Sequence, residues 1–281
     1  MFDNDTQKAE GKNINQAGRD IVYGVNQTEI KEIVQDLLNA VYDTRVQLVV
    51  SEYMHKNMQQ FSKNLLAMID VKALSEKILK NPDLAFVIDK SIKIVGEKGD
   101  KLDLNVLLKL LENRINSNDN SLIDIVTEQS IDKMDKITNE HIALLTLIHI
   151  IQNIKFSEND FSELEKIYMK LTPLTKASFK ISDSNKKYLA SLGLIEINIL
   201  RGNNTKDKFY ETYKYINSDL AKDDFIKKYF ENLNDTDMIK NYTAYENNHL
   251  YQIHLTTVGE MIALANLKKI YPDIDITIWI K

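Results

Sequence analysis

Ile142-Ala143-Leu144-Leu145-Thr146-Leu147-Ile148-His149-Ile150-Ile151 is the most apolar stretch of the chain. Apolar side chains occupy almost every position of this run, so a helix made from it is apolar nearly all round rather than along one stripe. Such a helix belongs at the centre of a bundle. Thr138 stands where an N-cap is needed. The run is well short of the roughly 20 residues that cross a bilayer, and it carries His149.

On either side of it, helical periodicity predicts further helices at about 72–80, 82–95, 101–116, 120–135 and 157–171. Upstream, Thr28 suits an N-cap with Glu29 and Glu32 in the first turn. Ile30, Ile33, Val34, Leu37, Leu38, Val41 and Tyr42 then recur at three and four residues. That pattern runs to about Ile69, long enough to predict a bend or break near Ser51. The whole reads as a mainly α (α+β) protein.

The texture changes after Pro173. Asn185 to Ser191 reads as a helix stopped by Gly193, and Leu194 to Ile199 alternates as a strand. A polar helical stretch at 217–232 follows. His249 to Leu255 reads as a second strand, Thr256 or Thr257 as a cap for a helix to Lys269, and Ile274, Ile276, Ile278 and Ile280 as a closing strand with one apolar face. Helix, glycine, strand, then strand, helix, strand predicts a small C-terminal winged-helix-like α/β module at 176–281, after a helical bundle at 27–175.

Residues 1–26 form a third region, with acidic and polar residues where a signal peptide needs a basic start and an apolar stretch. Asn13, Asn15, Gln16, Gly18, Arg19 and Asp20 lie in a short glycine-punctuated segment that predicts an N-terminal β-hairpin turning at Gly18. A lone hairpin of this size is marginal in water. The amides of Asn13, Asn15 and Gln16 both donate and accept, so copies from several chains can stack as hydrogen-bonded ladders. Arg19 beside Asp20 suits a charge-assisted fork across such an interface. These six residues are the expected self-association site, giving a homo-oligomer.

Composition narrows function further. The chain has 281 residues, 43% of them apolar, with 3 Pro, 8 Gly and no cysteine. Disulfides, thiolate nucleophiles, zinc ribbons and iron–sulfur clusters are thereby removed, and a reducing, cytoplasmic location is expected. The formal net charge of −5 opposes general nucleic-acid binding. His141 and His149 are eight apart on one helix, too far to share an ion, and His249 and His254 show no metal-ligand spacing. No Gly-x-x-x-x-Gly-Lys-Ser/Thr, Gly-x-Gly-x-x-Gly or Gly-x-Ser-x-Gly occurs. The expectation is a non-enzymatic protein with no cofactor or metal, acting on itself and on a protein partner.

Two alternatives stand beside it. A winged-helix DNA-binding regulator would place Lys186 and Lys187 near the start of a recognition helix. From residue 176 on, however, fifteen Lys and Arg face fourteen Asp and Glu, and groove readers show a clear basic excess. A membrane-disrupting effector would release residues 142–151, for which core packing is the plainer reading.

Both ends of the chain carry a resemblance. Asn13-Ile14-Asn15-Gln16-Ala17-Gly18-Arg19-Asp20-Ile21 resembles the start of an uncharacterised bacterial family known by locus-tag names. Leu255-Thr256-Thr257-Val258-Gly259, Ala265-Asn266-Leu267 and Asp275-Ile276-Thr277-Ile278-Trp279-Ile280 look like its close. The Leu-Thr-x-x-Gly helix start also looks like the tail of the abortive-infection alpha proteins. No catalytic residue comes with either likeness. The second implies a context of antiviral defence.

Overall fold

The computed structural model describes residues 15–17, 20–22, 44–68, 74, 77–78, 81, 83–117, 122–233 and 235–280. Contacts divide the chain into Met1–His55 and Lys56–Lys281. In the first unit β1 (Asn15–Ala17) and β2 (Asp20–Val22) pair antiparallel, Asn15 opposite Val22 and Ala17 opposite Asp20. Helix α1 spans Thr44–Met68 and runs through Ser51 without the expected break. The expected start of that helix at Thr28 lies outside the described residues.

Among the described residues the other helices are α2 (Asp83–Lys98), α3 (Leu104–Asn116), α4 (Leu122–Ile131), α5 (Asn139–Asn153), α6 (Phe161–Thr175), α7 (Asp183–Ser191), α8 (Thr205–Tyr213), α9 (Lys222–Ile226), α10 (Asp237–Asn247) and α11 (Thr257–Leu267). Strands β3 (Ile195–Ile197) and β4 (Ile253–Leu255) form an antiparallel pair. The molecule is mainly helical with a small two-stranded sheet.

Helix α5 is the quoted run. Thr138 caps it, with its Oγ1 accepting from the His141 amide and its own amide donating to His141 Nδ1, so a histidine closes the box that a glutamate usually closes. Every side chain from His141 to Ile151 is buried. Burying each large aliphatic there contributes about 1.5–3 kcal/mol, which makes α5 the axis of the core. Helix α11 lies along it and is equally enclosed from Met261 to Leu267. Inside the core a polar link joins the two: Asn266 Nδ2 donates to Thr146 Oγ1 at 2.8 Å.

Two residues fix how α11 begins. Thr256 caps it through the Gly259 amide and also donates from Oγ1 to the Gly193 carbonyl at 2.7 Å. A Cβ on Gly259 would stand 2.1 Å from the Leu194 carbonyl oxygen, so only glycine lets the helix start lie on the entry to β3. Gly193 itself has φ +73°, the left-handed region that terminates α7.

One hydrophobic core extends through residues on both sides of position 175, so the bundle and the C-terminal segment share packing rather than separate cores. Between β3 and β4 the chain makes a long excursion through α8, α9 and α10. It is anchored by rings: Phe161 stacks on Tyr229 at 3.9 Å, and Phe209 meets Tyr213, Phe230 and Tyr242 edge-on. Tyr168 and Tyr213 share a hydrogen bond of 3.2 Å inside this cluster, where burial pushes both phenols up.

Two expectations for the C-terminal half are corrected. Residues 274–280 form no strand. Ile276–Ile278 is a 3₁₀ turn, and the Ile280 amide donates to the Ile276 carbonyl at 3.2 Å. Ile276 and Ile280 are buried while Ile278 stays exposed, a spacing of four rather than two. A strand here would need an open partner edge, and the outward carbonyl of Ile253 on β4 is already taken by Gln152 Nε2 at 2.7 Å. The third strand of a winged-helix-like module is therefore not supplied by this tail. The strand expected from His249 is confined to Ile253–Leu255, because His249 adopts φ +55° as the left-handed residue that ends α10. The stretch expected to be helical at 217–232 is helical from Lys222 to Glu231, as short α9 followed by a wide π turn at Lys227–Glu231.

Candidate functional site

Ser182 caps α7, and the first turns place Asp183, Lys186 and Lys187 on one face. Gly193 turns the chain into β3, which brings Ile197 opposite Ile253. Beyond β3, Asn198 Oδ1 accepts from the Leu200 amide in a tight Asx turn. That turn leaves Ile199 75% and Leu200 90% exposed. The helix face, the strand tip and His249 enclose a slot of about 200 Å³ with an aliphatic floor at Ile197 and Ile253.

The two lysines assigned to nucleic acid part company here. Lys186 is buried, donates to the Asn248 carbonyl at 2.9 Å and pairs with Asp183 at 2.5 Å. Its ammonium holds α7 to the end of α10. The same lysine holds the Asp183 carboxyl below its usual range. Lys187 is exposed and has no ion pair among the described residues.

Of the expected self-association residues, Asn15, Gln16 and Asp20 lie on the paired strands. Asn13, Gly18 and Arg19 lie outside the described residues.

The histidines have separate settings. His141 is part of a cap and touches Asn185 Oδ1 at 3.3 Å, while His254 Nε2 meets Arg201 Nη1 at 3.0 Å. His249 Nδ1 bonds the Tyr251 hydroxyl at 2.8 Å. His149 is fully buried, and burial lowers its pKa to about 4. Asn153 Nδ2 lies 3.1 Å from its Nδ1 and 3.0 Å from Glu260 Oε1. An amide donating to Nδ1 puts the imidazole proton on Nε2, which has no hydrogen-bond acceptor. The Trp279 and His149 rings meet at a steep angle, 4.9 Å apart between centroids. Among the described residues no three His, Asp or Glu side chains are grouped to hold a metal ion.

A buried ionic cluster lies at the junction of α3 and α4. Arg114 Nε donates to Glu128 at 2.7 Å, its Nη1 is 3.7 Å from Asp124, and Ser117 donates to the same Asp124. A second opening of about 380 Å³ lies beside Lys268, which donates to Asn113 Oδ1 at 2.8 Å and whose pKa burial lowers.

The slot was not visible in sequence. Its walls come from residues 183–187, 197–199 and 249–253, joined only by the β3–β4 register. The available signal was Ile197, Ile199 and Leu200, aliphatic residues that continue past the end of the strand at Ile197.

The model of an uncharacterised family matches residues 24–243 and 214–280. The chain belongs to that family. The matched residues include α11 and the Trp279 tail, and they begin after β2. No curated protein and no solved structure matches.

Proposed function

We propose that this family member is a non-enzymatic, self-associating protein of bacterial antiphage defence. Its N-terminal ribbon joins copies, and its C-terminal segment presents a surface to a protein partner. One observation carries the self-association. The ribbon is two strands of three residues, paired with each other and, among the described residues, with no other strand. Ribbons this short need additional strands or a covering surface to persist in water, and a second copy supplies the same amide-rich edge. The experiment compares the mass of the full chain by light scattering with that of a chain starting at Asn26. A higher mass for the full chain alone is expected, and equal masses would remove the idea. Phage challenge of cells with and without the gene tests the defence context.

A winged-helix regulator is the second reading, supported by α7, Gly193 and the β3–β4 pair in that order. The burial of Lys186 weakens it, because one of its two assigned contacts is spent inside the fold. Retention on DNA at about 150 mM salt that Lys187→Glu abolishes would favour it. A membrane-disrupting role would require α5 to leave the core, at a cost of about 1.5–3 kcal/mol per large aliphatic side chain. Among the described residues no helix is long and apolar enough to cross a membrane.

A further inference from the structure

The β3–β4 pairing determines which backbone groups are left over. The Thr256 amide donates to the Leu194 carbonyl at 3.1 Å and the Asn198 amide to the Gln252 carbonyl at 2.7 Å, with Glu196 opposite His254 between them. Bonded and non-bonded pairs alternate along an antiparallel ladder. The amides and carbonyls of Ile195 and Ile197 therefore point away from β4. On β4 the matching outward groups of Ile253 are satisfied, the carbonyl by Gln152 and the amide by the Leu250 carbonyl. On β3 the outward amide and carbonyl of Ile197 have no partner among the described residues, and the residue is 40% exposed. An unpaired, exposed edge is a template for another strand.

What borders this edge defines the strand that fits. The slot beside it has an aliphatic floor at Ile197 and Ile253, and Lys187 stands at its rim. Asp183 is neutralised by Lys186, so the rim is net positive. Ile199 and Leu200 extend the apolar surface past the strand end.

We infer that the outer edge of β3 is a β-augmentation site for an extended segment of another protein that carries an aliphatic and an acidic side chain two residues apart, on one face. The segment pairs with the Ile197 amide and carbonyl, an aliphatic side chain enters the slot, and the acidic side chain two residues along on the same face meets Lys187. This deepens the binding-surface part of the proposed function and does not depend on self-association.

The probe is a short fluorescent peptide in which valine and aspartate take turns at every second position, with threonine between them, titrated into the full ¹⁵N-labelled chain. Saturable anisotropy is expected, with hydrogen exchange of the Ile197 amide slowed on binding. Ile197→Pro removes the outward amide without touching a β3–β4 bond, and it weakens binding about tenfold with an unchanged melting temperature. Lys187→Glu weakens the aspartate peptide and favours a valine–lysine one. The same peptide N-methylated on alternate amides does not bind. Absence of binding, or equal binding by the N-methylated peptide or by Ile197→Pro, overturns the inference. An Ile197 amide already protected without peptide also overturns it, because the edge is then occupied by a second copy. Mass measurements on the same samples report self-association separately, so either idea can fail alone.

Discussion

Gly259→Ala is the sharpest test of the packing described above. In an ordinary helix this substitution stabilises by about 1 kcal/mol, since alanine restricts the unfolded chain and favours helix. Here the new Cβ would stand 2.1 Å from the Leu194 oxygen, 3.1 Å from its carbon and 3.5 Å from Leu145 Cδ2. The nearest atom is backbone, and relief requires α11 and the start of β3 to separate by about 1 Å. Overpacking of this kind costs about 1–3 kcal/mol or more. The same separation stretches the 3.1 Å bond from the Thr256 amide to Leu194, and a lost backbone bond adds about 1 kcal/mol. The clash exceeds the propensity gain, and the expected net loss is about 2–3 kcal/mol, or a melting temperature lowered by about 5–10 °C. Thermal melting followed by circular dichroism reads it directly. Gly202→Ala is the control, since a Cβ there meets nothing within 4 Å, and it should be neutral. A Gly259→Ala protein that melts with or above the parent would mean that α11 and the entry to β3 are not in tight contact.

His249→Gly removes a non-glycine residue from φ +55° but forfeits the bond to Tyr251, so a net gain of about 0.5 kcal/mol in urea unfolding is expected. Arg114→Ala leaves Asp124 buried without its cation and should cost about 3–5 kcal/mol in the same assay, against a much smaller loss for exposed Lys93→Ala. His149 is held neutral in the fold, with its pKa lowered from 6.5 to about 4. The unfolded chain takes up that proton first as pH falls, so His149's contribution is complete above pH 6.5 and is lost progressively down to about pH 4. Burial raises the Glu260 pKa, which acts in the opposite sense at its own titration. Comparing the parent with His149→Phe isolates the histidine, and equal pH slopes in the two proteins would show that it does not titrate on unfolding.

The parts of the fold legible in sequence were those decided locally. The all-round apolar run of α5, the Thr138 and Thr256 caps and the Gly193 stop depend on neighbours within a few positions. The misread parts depend on distant partners. Ile274 to Ile280 alternates like a strand, yet Gln152 occupies the neighbouring edge and Trp279 is drawn onto His149, more than a hundred residues earlier. His249 interrupts its expected strand because α10 needs a left-handed residue to end on, and no periodicity signals that. The slot was illegible for the same reason, since α7 and β4 meet only after the excursion between the strands has folded. Lys186 and Lys187 are adjacent in sequence and chemically alike, and only tertiary structure buries one and exposes the other.

That excursion has a kinetic consequence. The chain leaves β3 at Asn198 and returns at Gln252, joined there by a single 2.7 Å bond. Closing so long a loop before its contents condense gains too little to offset the lost chain freedom. Collapse of the rings around Phe209 and Tyr242 should therefore precede zipping of the two strands, which form late. Trimming Phe209 would then slow refolding, whereas weakening the β3–β4 ladder would mainly hasten unfolding.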